Sequence, residues 1–272
     1  MNTIVEICAG SLESCIAARD GGAQRVELCS ALSLGGITPS YGVIALAKEK
    51  TDLDINVLIR PRGGDFLYTR EEMEVMKKDI ETCAKLKVNG VVFGALDKYG
   101  NVDLEFCRPL ALLAKSLELS FTFHRAIDRS SNILKSVEDV ISLGAQIILT
   151  SGGAVTAFEG LSTIKEMAKI ASGRITIMPG SGINSSNIVE IAQAVATNSS
   201  NLANNLNSSS ISFSNKLFAQ VHLSASQEIT SNRKNIDSNT NKLNLIDREF
   251  VKRETSKQKV REAIDALSNY NL

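Results

Sequence analysis

The sequence predicts an α/β protein, a single (β/α)8 barrel of the TIM type over residues 1–272, with a low-complexity insertion before its eighth strand. Three observations predict it. Eight short apolar runs recur along 272 residues, with helical patterns between them. Most runs place apolar residues at consecutive positions, as strands covered on both faces do. Eight such units in a chain of this length favour a closed barrel over an open doubly wound sheet.

The strands are read in order as Thr3–Cys8, Arg25–Ser30, Ile55–Arg60, Gly90–Gly94, Ser120–Arg125, Gln146–Ser151, Arg174–Pro179 and Phe218–Leu223. Between them, apolar residues step by three and four, the helical period. Met76, Ile80 and Cys83 mark one such face, and Leu161, Ile164, Met167 and Ala171 another. Thr69 with Glu72, and Thr156 with Glu159, have the spacing of capping boxes at helix starts. Gly22-Ala23-Gln24 and Gly144-Ala145-Gln146 repeat one helix-to-strand turn before the second and sixth strands. In Thr197–Asn215, 13 of 19 residues are Asn or Ser. Such a tract buries little apolar surface against its ordering entropy and reads as a disordered insertion. The last helix is expected within Arg248–Leu267, with Val251, Val260, Ile264 and Leu267 toward the core.

Composition narrows the function. Hydrophobic residues make up 43% of the chain, enough for a large core. Thirty basic residues balance thirty acidic ones, so bulk charge gives no support for a nucleic-acid partner. No apolar run approaches the ~18 residues of a membrane span. The opening residues Met1–Glu6 lack the basic flank and apolar stretch of a secretory signal. Five cysteines in a chain of this size suit a reducing, cytoplasmic setting better than a disulfide framework.

Ligand sites in this fold lie at the C-terminal ends of the strands, and the unusual residues cluster there. The two histidines of the chain, His124 and His222, each end an apolar run, which suggests a shared pocket. Arg60-Pro61-Arg62-Gly63-Gly64 ends the third strand. Arginine forks bind carboxylate or phosphate, so Arg60 and Arg62 are candidate anion ligands. Arg60 could instead pair with Glu6 or Glu27. Period-2 alternation puts Glu6 with Cys8, and Glu27 with Cys29, on one face each, directed into the barrel mouth. Two thiols on adjacent strands suit a soft ion such as copper(I). His124, His222 or Met178 could complete such a site. Cys15, Cys83 and Cys107 fall on helices and read as core. Gly180 and Gly182, before a helix start, form either an anion cradle or a plain turn with Asn184 as its cap. Thr150 and Ser151 end the sixth strand with the same ambiguity. Asp128 could orient the loop after His124 or act as an acid/base.

Several of these stretches resemble the CutC copper-homeostasis family. They are Glu6-Ile7-Cys8, Gly21 to Ser30, Gly35-Gly36-Ile37-Thr38-Pro39-Ser40, Ile59 to Phe66, Val92-Phe93-Gly94, Phe121 to Asp128 and Leu149-Thr150-Ser151-Gly152. The likeness runs from about residue 3 to 195, and Met178-Pro179-Gly180 is closer to eukaryotic members. It implies a cytosolic barrel, a homo-oligomer, linked to copper tolerance and trafficking. It also implies Cys8 and Cys29 as the copper-binding thiols, in a polar mouth of Glu6, Glu27, Arg60, His124 and His222. The family's three glycines after strand seven become Gly180-Ser181-Gly182 here. Its His-x-Ser-Ala-Arg ends in Ser226 instead of Arg. Two functions follow. One is copper(I) binding without catalysis. The other is an enzyme acting on a small anion, with Arg60 and Arg62 holding it and His124 with Glu6 or Glu27 moving the proton.

Overall fold

The computed structural model describes residues 3–203, 220–230 and 251–270, with side-chain environments for most of them. The strands are β1 (Ile4–Ala9), β2 (Arg25–Leu28), β3 (Asp54–Leu58), β4 (Gly90–Phe93), β5 (Ser120–Phe123), β6 (Ile147–Thr150), β7 (Thr176–Pro179) and β8 (Gln220–Leu223). All eight pair in parallel in the order β7-β6-β5-β4-β3-β2-β1-β8, and a parallel bridge between Gly180 and His222 closes the ring. The helices around it are α1 (Leu12–Gly21), α2 (Tyr41–Lys50), α3 (Arg70–Lys85), α4 (Leu104–Ser116), α5 (Ile133–Ser142), α6 (Leu161–Ala171), α7 (Ile188–Ala203) and α8 (Lys257–Ser268). The predicted barrel is therefore present, with strands one or two residues shorter than read in all but the first case.

Alternation along the strands sorts the core into layers. Val5, Ile7, Val26, Leu28, Ile55, Val57, Val91, Phe93, Phe121, Phe123, Ile148 and Val221 belong to one large cluster with the helix residues Met76, Ile80, Cys83, Ile164 and Met167. This is the sheet–helix layer, and the helical spacing in the sequence marked it correctly. Cys15, Cys83 and Cys107 are buried in it as expected. The alternate residues face the barrel axis. There the apolar filling is small: Cys29, Leu58 and Val92 on one side, and Ile147, Leu149 and Met178 on the other. The remainder of the interior is polar. A Cβ on Gly90 would lie 2.0 Å from Ser120 Oγ and 2.6 Å from Asn56 Oδ1, so only glycine leaves room for both there.

Three local readings change. Thr69 and Glu72 form the reciprocal capping box that starts α3. Thr156 and Glu159 make the same two bonds, but on a turn that precedes α6, whose own cap position is Gly160. The Asn/Ser tract does not begin as loop: Thr197–Ala203 continues α7, which the buried Ile188, Ile191, Ala192 and Val195 anchor. The rest of the tract lies outside the described residues. Finally, the last quarter carries an unforeseen antiparallel pair, β9 (Ser226–Thr230) with β10 (Val251–Thr255), between β8 and α8. Val251 is thus a strand residue, while Val260 and Leu267 do face the core from α8. Among the described residues, no helix is long and apolar enough to cross a membrane.

Candidate functional site

The polar interior is organised around Glu6. Its side chain is fully buried on β1 and is reached from three strands. Arg25 Nε donates to Oε2 at 2.5 Å, Asn56 Nδ2 to the same oxygen at 3.2 Å, and His222 Nδ1 lies 2.8 Å from Oε1. Arg25 also donates to Gln220 Oε1 at 2.6 Å. Register explains this assembly: Glu6 pairs with Arg25 on one side and with His222 on the other, all facing inward. Burial by itself would raise the Glu6 carboxyl, but the Arg25 charge and His222 outweigh it and bring it down to about 2. Glu27 fares differently. Burial pushes its carboxyl up to about 7, against the pull of His222, and the Glu6 charge adds to the rise. Its Oε2 is buried without a hydrogen bond and sits 3.8 Å from His222 Nδ1. Burial disfavours the imidazolium of His222, yet Cys8, Glu6 and Glu27 together hold its pKa well above the ordinary value.

The two thiols lie in the same mouth. Cys8 follows Glu6 on the inner face of β1, and Cys29 follows Glu27 just beyond β2. Their sulfurs are 3.9 Å apart. Cys29 is buried and Cys8 partly exposed. The Cys29 thiol and burial both push the Cys8 thiol well above its usual pKa, with the adjoining His222 opposing them. Oxygen and nitrogen atoms of Glu6, Glu27 and His222 also lie within 4.8 Å of one another, as the ligands of a metal would. Glu6 is already saturated by Arg25, Asn56 and His222, and a guanidinium at bonding distance repels a divalent ion. Thiol donors such as Cys8 and Cys29 are matched chemically to soft ions.

Arg60 and His124 occupy another part of the mouth. The alternative to an anion role for Arg60 is an ion pair with Glu6 or Glu27. Arg60 finds neither. Its guanidinium donates to the carbonyls of Leu34 at 3.0 Å, Gly36 at 2.8 Å and Gly64 at 2.7 Å. Arg25 is the residue that pairs with Glu6, and the alternation that placed Glu27 inward places Arg25 inward too. Among the described residues, no hydrogen bond or ring contact joins the two histidines. His222 sits among the glutamates, whereas the His124 ring packs on Phe66, with centroids 4.9 Å apart. No hydrogen bond or ion pair joins His124 to Glu6 or Glu27 among the described residues. Burial and the Arg60 charge depress the His124 pKa to about 3, so the ring is neutral, and its Nδ1 accepts from Ala126 N at 3.3 Å. Arg62 turns away: Glu72 at 2.6 Å and Asp65 at 2.9 Å occupy it.

Asp128 ties loops together. It accepts from Thr150 Oγ1 at 2.5 Å, from Ser151 N at 3.0 Å, from Ser151 Oγ at 3.0 Å, from Gly153 N at 3.1 Å and from Arg125 Nε at 2.8 Å. Thr150 and Ser151 are thereby committed to Asp128, which orients the loops after β5 and β6. Asp128→Ala should cost about 2–4 kcal/mol, because it strands several buried donors at once. Urea unfolding that shows no loss beyond ~1 kcal/mol would refute this role. Beyond β7, Gly180 N donates to Thr150 O at 2.9 Å. Ser181 follows with φ +86° and Gly182 with φ +69°. Glycine adopts the left-handed region freely, but serine is strained there by roughly 1–2 kcal/mol. The turn is therefore a place where the substitution for glycine has a backbone cost. Asn184 accepts from Ser186 N at 2.9 Å and caps the turn that leads into α7.

Fold and mouth together define a (β/α)8 barrel with a polar, thiol-bearing site at its strand ends. The chain belongs to the CutC family, whose model matches residues 3–205. A CutC family protein of Parabacteroides distasonis is 52% identical over 192 residues, covering 70% of this chain and 78% of its own. One from Xylella fastidiosa is 49% identical over 187 residues, 69% of each chain. The solved CutC structure from Streptococcus agalactiae, described provisionally as a copper homeostasis protein, superposes with a TM-score of 0.69 at 30% identity. That likeness covers 82% of this chain and 98% of the other.

Sequence reasoning did not single out Arg25, Asn56, Gln220 or Tyr68. The first three were legible from the same period-2 alternation that selected Glu6 and Glu27. Tyr68 lies on an irregular loop, where no periodicity applies.

Proposed function

We propose that this protein binds copper(I) through Cys8 and Cys29 and acts in copper homeostasis. The observation that carries the reading is the 3.9 Å separation of the two sulfurs at the barrel mouth. A metal–thiolate bond of about 2.3 Å, the zinc value, bridges that gap with an S–metal–S angle of roughly 115°. Such an angle leaves room for a third ligand, and His222 adjoins Cys8. The partial exposure of Cys8 gives the ion its entry. Binding displaces the thiol protons, as metal binding to cysteine requires.

The test is an anaerobic competition titration of reduced protein against a chromophoric copper(I) chelator. One copper(I) per chain is expected, lost in the Cys8→Ser/Cys29→Ser double variant. Unchanged affinity in the double variant would remove these residues from the site.

A second reading, acid–base chemistry on a small anionic molecule, is favoured by the Glu27 carboxylate oxygen that has no hydrogen bond in the buried mouth. In it Glu27, rather than His124, exchanges the proton. Arg60 supplies the positive charge, while Arg62 is already occupied by Asp65 and Glu72.

A further inference from the structure

We propose that Arg60, His124 and Tyr68 form a binding site for a small oxyanion, a carboxylate or a phosphate group, separate from the thiols.

Arg60 is 4% exposed and carries its charge on β3's extension into the mouth. A buried guanidinium needs a counter-charge or a full set of acceptors. This one has no carboxylate partner among the described residues. Three backbone carbonyls take some of its five N–H groups, and Nε is left buried without a hydrogen bond. Carbonyls solvate a cation but do not neutralise it.

Two further donors without partners adjoin it. His124 Nδ1 accepts from Ala126 N at 3.3 Å, so the neutral ring carries its proton on Nε2. That Nε2 is buried and makes no hydrogen bond, in a residue 5% exposed. The hydroxyl of Tyr68, also buried, lies against the Arg60 guanidinium, and its own O–H has no acceptor. Phe66 stands at the centre: its ring lies 4.9 Å from the Arg60 guanidinium carbon and 4.9 Å from the His124 ring. Three donors and one uncompensated positive charge around an aromatic wall are complementary to a single negative group with several acceptor oxygens. Nothing here resembles a site for a cation or a neutral apolar ligand. Phe66 itself is only partly buried and sits on the loop between β3 and α3, so access to the donors lies past its ring.

The inference deepens the acid–base reading by naming its anion, but it can fail separately. Its test measures binding alone. The protein is titrated with inorganic phosphate and, in a second arm, with malonate, following the 15N and 1H resonances of the His124 side chain and the heat of binding. Saturable binding that moves the His124 Nε2 resonance is expected with at least one of the two, and the preferred one says which oxyanion the site takes. Tyr68→Phe should weaken binding several-fold and His124→Phe about tenfold. Arg60→Gln should abolish it; if that variant does not fold, the other two carry the test. Absence of saturable binding in both arms, or binding unchanged in Tyr68→Phe and His124→Phe, overturns the proposal. A bound anion with no turnover of any phosphorylated or carboxylated metabolite would instead overturn the acid–base reading and leave the site standing.

Discussion

Glu6→Ala is expected to destabilise the barrel by about 3–5 kcal/mol, the cost of leaving a buried charge without its partner. The loss does not come from packing. It comes from Arg25, which is buried and donates to Glu6 at 2.5 Å; its other hydrogen-bond partners among the described residues, Gln220 and Met178, are neutral. For a domain of this size such a loss lowers Tm by roughly 10 °C. Arg25→Met in the same chain should recover much of it, because the double variant strands no charge. Calorimetry of the four proteins gives the coupling. Additive losses in the two single variants would mean that Glu6 and Arg25 do not act as a unit. The same cluster fixes His222 through Glu6 Oε1, so Glu6→Ala should also weaken any metal site that uses the His222 ring.

The barrel was legible because its signals are local and repeated. Apolar runs at strand length and three–four steps at helix length follow from geometry that holds in every unit, and Met76, Ile80 and Cys83 are buried where that geometry puts them. Inward residues were legible by the same alternation: Glu6, Glu27, Cys8 and Cys29 do meet in the mouth. Pairing was not. Which carboxylate meets which cation depends on the register of strands far apart in the chain. Arg25 and Arg60 both end up buried, yet Arg25 faces Glu6 across one strand pair while Arg60 faces backbone carbonyls. The two histidines looked equivalent because each ends a strand. They diverge because β8 pairs with β1, which brings Glu6 to His222, while the segment after β3 brings Phe66 to the His124 ring. Asp128 shows the same limit from the other side. Its position after His124 marked it, but five donors, one from Arg125 and four from Thr150 to Gly153, had to converge before its role as a tie became visible. The β9–β10 pair was missed because its residues are polar and short, and a two-stranded ribbon with little to bury has no apolar alternation to read.

His124 contributes to the acid limb of stability, and the sign follows from its depressed pKa. The ring titrates near 6.5 in the unfolded chain and near 3 in the fold. Between those values the unfolded state binds the proton and the native state does not, so stability falls as pH drops. The full contribution is present above pH 6.5, and on the order of 5 kcal/mol is withdrawn by the time pH reaches about 3. The slope within the window approaches ~1.4 kcal/mol per pH unit for this one group. Glu27 and other carboxyls titrate in part of the same range, so the measurement is a difference. His124→Asn loses packing against Phe66 and is less stable at pH 7, but it has no imidazole to protonate. Its urea-derived stability should therefore decline less steeply than that of the parent protein between pH 6 and 4. Parallel curves would show that His124 is not held neutral by its surroundings. An oxyanion bound at Nε2 adds a second lever. Its negative charge favours the imidazolium, so saturating phosphate should flatten the steep region of the parent curve, whereas in His124→Asn, which has no imidazole to protonate, it should change the slope less. The pH dependence thus reports on the same pocket by a route independent of direct binding.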